Sequence, residues 1–333
     1  MIHLKSFAAG LATLAVAIGF AGAAAAQEIK ISHQWKQGTD ARDRATRVFA
    51  EEASKRDPSL KFRIYPGSSL NIKPVAQLDA MQAGTLEMAV YPLSYAVGKI
   101  PDFSITIMPG TVTSLAHAKR MKGTKFHQRL QQIAEANGIH VVTWWWTPGG
   151  FASKRAPIAG PDSVKGESMR AADPTFEAML KAAGASVHGM PSTEIYPALQ
   201  SGVLTSTLTS AETFVSMRIY EQTKFATIGG DYTLWMLLQP LVISKQAWDK
   251  LTPSQKKAFQ EAADKSDEFF DGTQEEATGK MREVFTKAGA QVRALTKQEY
   301  DAWLELAKKT AWVDFADKSP NGKELIELIA QVK

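Results

Sequence analysis

Residues Ser163–Ser210 read SVKGESMRAADPTFEAMLKAAGASVHGMPSTEIYPALQSGVLTSTLTS. A short run that turns from polar to apolar ends at Arg170. A helix pattern follows over Pro174–Ala183, and Gly184 stops it. Then come a short strand, a capped helix over Ser192–Ser201, Gly202 and a strand rich in Thr and Ser. This strand–helix–strand–helix–strand rhythm is the mark of an open α/β sheet. Ligands of such sheets sit beyond the carboxyl ends of the strands, which is where the pattern puts Arg170, Thr207 and Thr209. An arginine is most often an exposed salt-bridge residue. At a strand end, however, its planar and permanently charged fork suits recognition of a carboxylate.

The ordered set Lys165-Gly166, Arg170, Pro174, Met190-Pro191, Glu194-Ile195-Tyr196, Leu199-Gln200 and Gly202-Val203 resembles the DctP-like solute-binding proteins of tripartite ATP-independent periplasmic (TRAP) transporters. The resemblance extends over nearly the whole chain after residue 26. It implies an α/β fold of two lobes with a ligand cleft between them, more than one crossing and a long lobe-spanning helix. It also implies TRAP membrane subunits as partners, a monomeric receptor and no cofactor. Arg170 matches the family's carboxylate-gripping arginine. Thr209 falls where the family often has a ligand-contacting asparagine, and a hydroxyl cannot reproduce the amide's donor pair. Gly149 stands where many members carry a second acid-binding arginine. Glycine there is expected to leave room and to remove one charge. The expected ligand is therefore a monocarboxylate with an apolar or aromatic body, the alternative being a small hydroxy or keto acid in a wet pocket with the tryptophans all in the core.

Residues 1–26 have the make-up of a secretory signal peptide: Lys5, an apolar run over Phe7–Phe20, and Ala24-Ala25-Ala26 before Gln27. A membrane anchor is the alternative, but the run is short for a span. The chain has no cysteine, hence no disulfide framework and no lipid attachment through a thiol. The formal charge of +5, less the one lysine of residues 1–26, leaves +4, with both signs interspersed. That speaks against a nucleic-acid footprint, which needs a clustered basic stripe.

Alternation over Ile29, Ile31, His33 and Trp35, over Leu60, Phe62 and Ile64, and over Leu86, Met88 and Val90 predicts three strands. Helices are predicted from the apolar stripe Ala41, Ala45, Val48, Phe49, Ala53 and over Lys73–Ala83. Trp35 and Tyr91 end their strands and are candidates either for core packing or for ligand walls. A long helix is predicted over Ala116–Asn137, then a strand over Ile139–Trp145. In Trp144-Trp145-Trp146 the first and third share one side and Trp145 takes the other; either all three are core, or at least one lines the cleft, with Trp144 and Trp146 the candidates if their face is inward. Gly149-Gly150 reads as the crossing between lobes. Pro197 is expected to kink its helix, and Phe214 is a further wall candidate. The apolar run Trp235–Ser244, with Pro240 as its bend, should return the chain to the first lobe. Pro253–Ala288 should be the long helix, and Thr296 with Glu299 a capping box. The expected division is 27–147 plus about 237–277 for lobe one, and 148–236 plus about 278–333 for lobe two.

The sequence holds no P-loop, no GxGxxG after a strand, no GxSxG elbow and no HExxH. The six histidines are dispersed, and His188 reads as packed, so neither catalysis nor a metal site has positive support. The expected function is capture of a small organic acid by lobe closure. A receptor for an ATP-driven transporter or a sensor would share the architecture, and gene neighbours without an ATPase decide against it. A periplasmic enzyme is the rival of another class, decided by turnover.

Overall fold

A computed structural model describes residues 28–332; the segment 1–26, expected to be a signal peptide, lies outside them. Among the described residues twelve strands follow in chain order: β1 (Ile29–Ser32), β2 (Phe62–Tyr65), β3 (Met88–Val90), β4 (Ile139–Val141), β5 (Trp146–Ser153), β6 (Ser168–Ala171), β7 (Ser186–Gly189), β8 (Ser206–Ser210), β9 (Phe225–Ile228), β10 (Met236–Leu238), β11 (Leu241–Ser244) and β12 (Gln291–Ala294). They build two sheets. The first has the order β2-β1-β3-β11-β4 and the second β12-β9-β5-β8-β6-β7. The first three strands are mutually parallel and β11 runs against them.

The chain passes from one sheet to the other along β5. Its first residues, Trp146–Pro148, pair with β10; Gly149–Ser153 pair with β8 and Gly150–Ser153 with β9. It returns through β10 and β11, which are separated by Gln239-Pro240. Proline cannot donate to a ladder, so the strand breaks where the sheet changes, as the sequence suggested.

The long helix Pro253–Lys287 has 35 residues, about 52 Å at 1.5 Å per residue. Its first half packs on one face of the first sheet, where Phe259 meets Phe49 and Phe62. Its second half packs on the second sheet through Met281 and Phe285. Gly272 and Gly279 do not interrupt it. The Thr252–Gln255 and Thr296–Glu299 capping boxes both form. The largest core joins the opposite faces of the two sheets under the C-terminal helices. There the Trp303 indole donates to Ala159 O at 2.5 Å and that of Trp312 to Pro109 O at 2.8 Å, while Asp102 accepts from the Asn321 amide at 2.9 Å.

Three local expectations are corrected. The segment expected as one helix over 116–137 is two, Leu115–Met121 and Lys125–Ala136, because Gly123 takes φ +82 between them. The strand expected to reach Trp145 ends at Val141. Pro197 makes no kink within a continuous helix: Ser192–Glu194 is a separate 3-10 turn, and Pro197 lies in the first turn of helix Ile195–Ser201, where a missing N–H removes no helix bond.

Candidate functional site

Arg170 is 2% exposed and sits on β6 opposite His188 of β7 and Thr207 of β8. Its neighbours Met169 and Ala171 point into the core, so alternation puts the arginine on the other face. Its side chain reaches the carboxyl ends of the adjoining strands. Nε donates to Met190 O at 2.9 Å and an Nη to Leu208 O at 3.0 Å. Burial pulls its pKa down, opposed by the Tyr95 hydroxyl and by the more distant Asp173 carboxylate. Among the described residues no carboxylate lies within ion-pair distance of it. A buried guanidinium held only by neutral acceptors is costly unless an anion joins it.

Tyr95 ties the two sheets together here. It stands in the turn Leu93–Ala96 after β3. Its hydroxyl accepts from Ser192 N at 2.9 Å, beyond β7, and from Gln34 Nε2 at 3.3 Å, beyond β1. Sequence reasoning did not single out Tyr95. The signal available was a second tyrosine four residues after Tyr91, in the same strand-end loop. Asp173, 3% exposed, caps helix Pro174–Ala182 through Phe176 N at 3.0 Å, and burial pushes its carboxyl up to about 6.

The aromatic candidates separate into two groups. Trp35 and Tyr91 are fully buried and Trp146 is 1% exposed, and all three polar atoms lack a hydrogen-bond partner. Burial also pushes the Tyr91 hydroxyl above its ordinary pKa. Trp144 shares its side with Trp146, at 5.6 Å between rings, as alternation predicted. Its indole N–H is satisfied by Ala118 O at 2.9 Å and its ring packs on His127 and Phe126. Phe214 packs edge-on against Phe285, beneath the long helix. Neither Trp144 nor Phe214 is thereby joined to the Arg170 cluster. Thr209 is 5% exposed on β8, opposite Gly150.

The expectation that Gly149 leaves room is overturned. A Cβ at position 149 would lie 2.0 Å from Trp235 Cε2 and 2.2 Å from its Nε1. The Trp235 indole fills the space, held edge-on by Phe151 and Phe176 at 5.0 and 4.9 Å. Sequence reasoning noted the run from 235 to 244 only as a strand. The missed signal was a tryptophan opening the strand that pairs with the Gly149 crossing.

A second buried arginine, Arg42, was also missed. It lies in the first turn of helix Ala41–Arg56, where the helix dipole disfavours a cation. Asp40 neutralises it through two contacts at 2.7 and 2.6 Å, and Trp35 stacks on it at 4.0 Å. It also donates to Gln239 at 2.5 Å and Thr213 at 3.2 Å, while Glu212 accepts from Ala41 N at 2.7 Å. Arg42 thus joins the first helix to the segment after β8, with its charge already matched.

Among the described residues no group of His, Cys, Asp and Glu could hold a metal, and no helix is long and apolar enough to cross a membrane. Residues 31–318 match the family described as bacterial extracellular solute-binding protein, family 7. A solute-binding protein of Albidiferax ferrireducens is 37% identical over 324 residues, 96% of this chain and 95% of that one. The C4-dicarboxylate-binding periplasmic protein DctP of Rhodobacter capsulatus is 26% identical, over 89% of each chain. A TRAP periplasmic solute-binding protein from Rhodoferax ferrireducens, solved with bound malonate, superposes with TM-score 0.89 at 37% identity, covering 91% of this chain and 98% of that one. These are binding proteins, not enzymes. This two-lobed α/β chain, with a long helix packed on both sheets, belongs to the DctP family of TRAP transporter solute-binding proteins.

Proposed function

We propose that this chain captures one small monocarboxylate with an apolar or aromatic body in the periplasm, and delivers it to the membrane subunits of a TRAP transporter. The observation that carries the reading is Arg170: buried, presented beyond strand ends, and without a carboxylate of its own. Arg42, the other fully buried arginine, is matched by Asp40 and is not offered to a ligand. Among the described residues Arg170 is the fully buried arginine without a carboxylate partner, so a second ligand carboxylate buried beside it would lose its water without a matching buried counter-charge. Trp35, Tyr91 and Trp146 supply apolar walls and Thr209 a hydroxyl.

The lobes are 27–147 plus about 237–277, and 148–236 plus about 278–333, with the C-terminal helices strapped across both. The acid bridges the lobes near Tyr95 and favours the closed state, which shifts the population toward it. The receptor acts as a monomer and is exported through cleavage after Ala26.

The competing reading is a dicarboxylate, favoured by the malonate bound to the relative that is 37% identical. Mass spectrometry of what co-purifies, with a thermal-shift panel of arylcarboxylates, short keto acids, dicarboxylates and sugar acids, decides between them. Stabilisation by arylcarboxylates or other apolar monocarboxylates is expected. Stabilisation by dicarboxylates or sugar acids alone overturns the proposal.

A further inference from the structure

One hydroxyl gathers segments from both sheets. Tyr95 stands in the turn after β3, and Gln34, which follows β1, donates to its hydroxyl from Nε2 at 3.3 Å. Both belong to the first sheet. From the second sheet Ser192 N, beyond β7, donates to the same oxygen at 2.9 Å, and the hydroxyl donates to Ser192 Oγ at 3.3 Å. Arg170 of β6 is the charged group that this hydroxyl supports. The ring itself packs edge-on against Tyr91, at 6.3 Å between centroids. A phenylalanine would keep that contact, so packing alone does not call for the hydroxyl.

Tyr95 also stands between Arg170 and the outside. A cavity of about 390 Å³ lies on the seam of the two sheets. Val75, Tyr95 and Val97 wall it from the side of the first sheet, and Pro174, Met190 and Pro191 from the side of the second. The guanidinium, 2% exposed, lies behind this wall, with Nε donating to Met190 O at 2.9 Å.

A contact that runs from one sheet to the other lasts only while the two are closed on each other. When they part, water serves Ser192 N and the Gln34 amide. When they close, water is excluded, and each donor left without an acceptor is unfavourable. The Tyr95 hydroxyl supplies the acceptor at that moment, so its contribution falls on closure rather than on folding.

We infer that Tyr95 is a positioning residue whose hydroxyl latches the closed receptor over Arg170, and so sets how slowly the bound acid leaves. The latch acts through Ser192, Gln34 and the guanidinium. This inference rests on the reading of Arg170 as the partner of the ligand carboxylate, and adds what holds the protein shut over it.

Tyr95→Phe removes the hydroxyl and keeps the ring. The probe is the acid of the thermal-shift panel that stabilises the wild type most, starting from 3-phenylpropanoate and malonate. Affinity is measured by calorimetry and the two rate constants by stopped-flow tryptophan fluorescence. Tyr95→Phe should bind about 5- to 100-fold more weakly, as expected for one or two hydrogen bonds left unmade in the closed state. The loss should appear as faster dissociation, with association within about twofold of wild type. Without ligand, the variant should melt with the wild type. Unchanged dissociation overturns the inference. So does a loss carried by association, or a ligand-free melting temperature that falls as far as the liganded one, since the hydroxyl then serves folding. Unchanged binding by folded Arg170→Ala would instead overturn the carboxylate reading, so the two failures are distinguishable.

Discussion

Replacing Arg170 is the most direct perturbation of the site. A guanidinium has five N–H donors, of which Nε and one Nη hydrogen are committed to Met190 O and Leu208 O. Three remain for Tyr95 and for the ligand. A carboxylate bound by two of them gains two charge-assisted hydrogen bonds at about 1.5–3 kcal/mol each. Arg170→Ala should therefore weaken binding roughly 100- to 10,000-fold. The alanine also strips two buried carbonyls of their donor, at about 1–3 kcal/mol each, so part of its effect falls on stability. Arg170→Lys separates the two contributions. It keeps a positive charge and can satisfy one carbonyl, but an ammonium presents no fork. It should remain folded by circular dichroism and still bind at least about tenfold more weakly. The assay is isothermal calorimetry with the acid that stabilises the wild type most in the panel. Binding by folded Arg170→Lys within about twofold of wild type would refute the two-pronged grip. Unchanged affinity in folded Arg170→Ala would refute any role for this residue in binding.

Two further perturbations address the surroundings. Gly149→Ala pushes a methyl group to 2.0 Å from the Trp235 ring; overpacking of this kind costs about 1–3 kcal/mol, read as a lower melting temperature that Trp235→Leu in the same chain should restore. An unchanged melting temperature for the single variant would show that the ring moves freely. Asp173 has its carboxyl raised from 3.8 to about 6, chiefly by burial. The folded state thus holds the proton more tightly than the unfolded one, so the stability it contributes is full below about pH 4 and is lost as pH rises through about 6. Asp173→Asn keeps a capping side chain and should flatten the fall in melting temperature between pH 4 and 7. The same slope in both proteins would contradict that assignment.

Much of the fold is written in neighbouring residues. Alternation along Ile29–Trp35 and Leu60–Ile64, the Thr296–Glu299 box, Gly149-Gly150 at the crossing and Pro240 at the return are local signals, and local forces realise them. Arg170 was legible for the same reason: its strand, its following helix and its flanking motifs are contiguous. Where local signals failed, a neighbour in space decided the outcome. Alternation paired Trp144 with Trp146, but only packing showed that the indole of Trp144 is satisfied by Ala118 while that of Trp146 has no acceptor. Gly149 read as open space because its absent side chain is visible in sequence, whereas the Trp235 ring that fills it arrives from another strand. Arg42 and Gln239 are 197 positions apart, and Tyr95 and Ser192 are 97. Sheet order brings such pairs together, and that order is fixed by burying apolar faces on both sides of two sheets. The sequence alone therefore determined most of the elements and the place of Arg170 on its strand. Only the tertiary structure decided which buried donors surround it and which cation is already spent, because those depend on contacts that no window of adjacent residues contains.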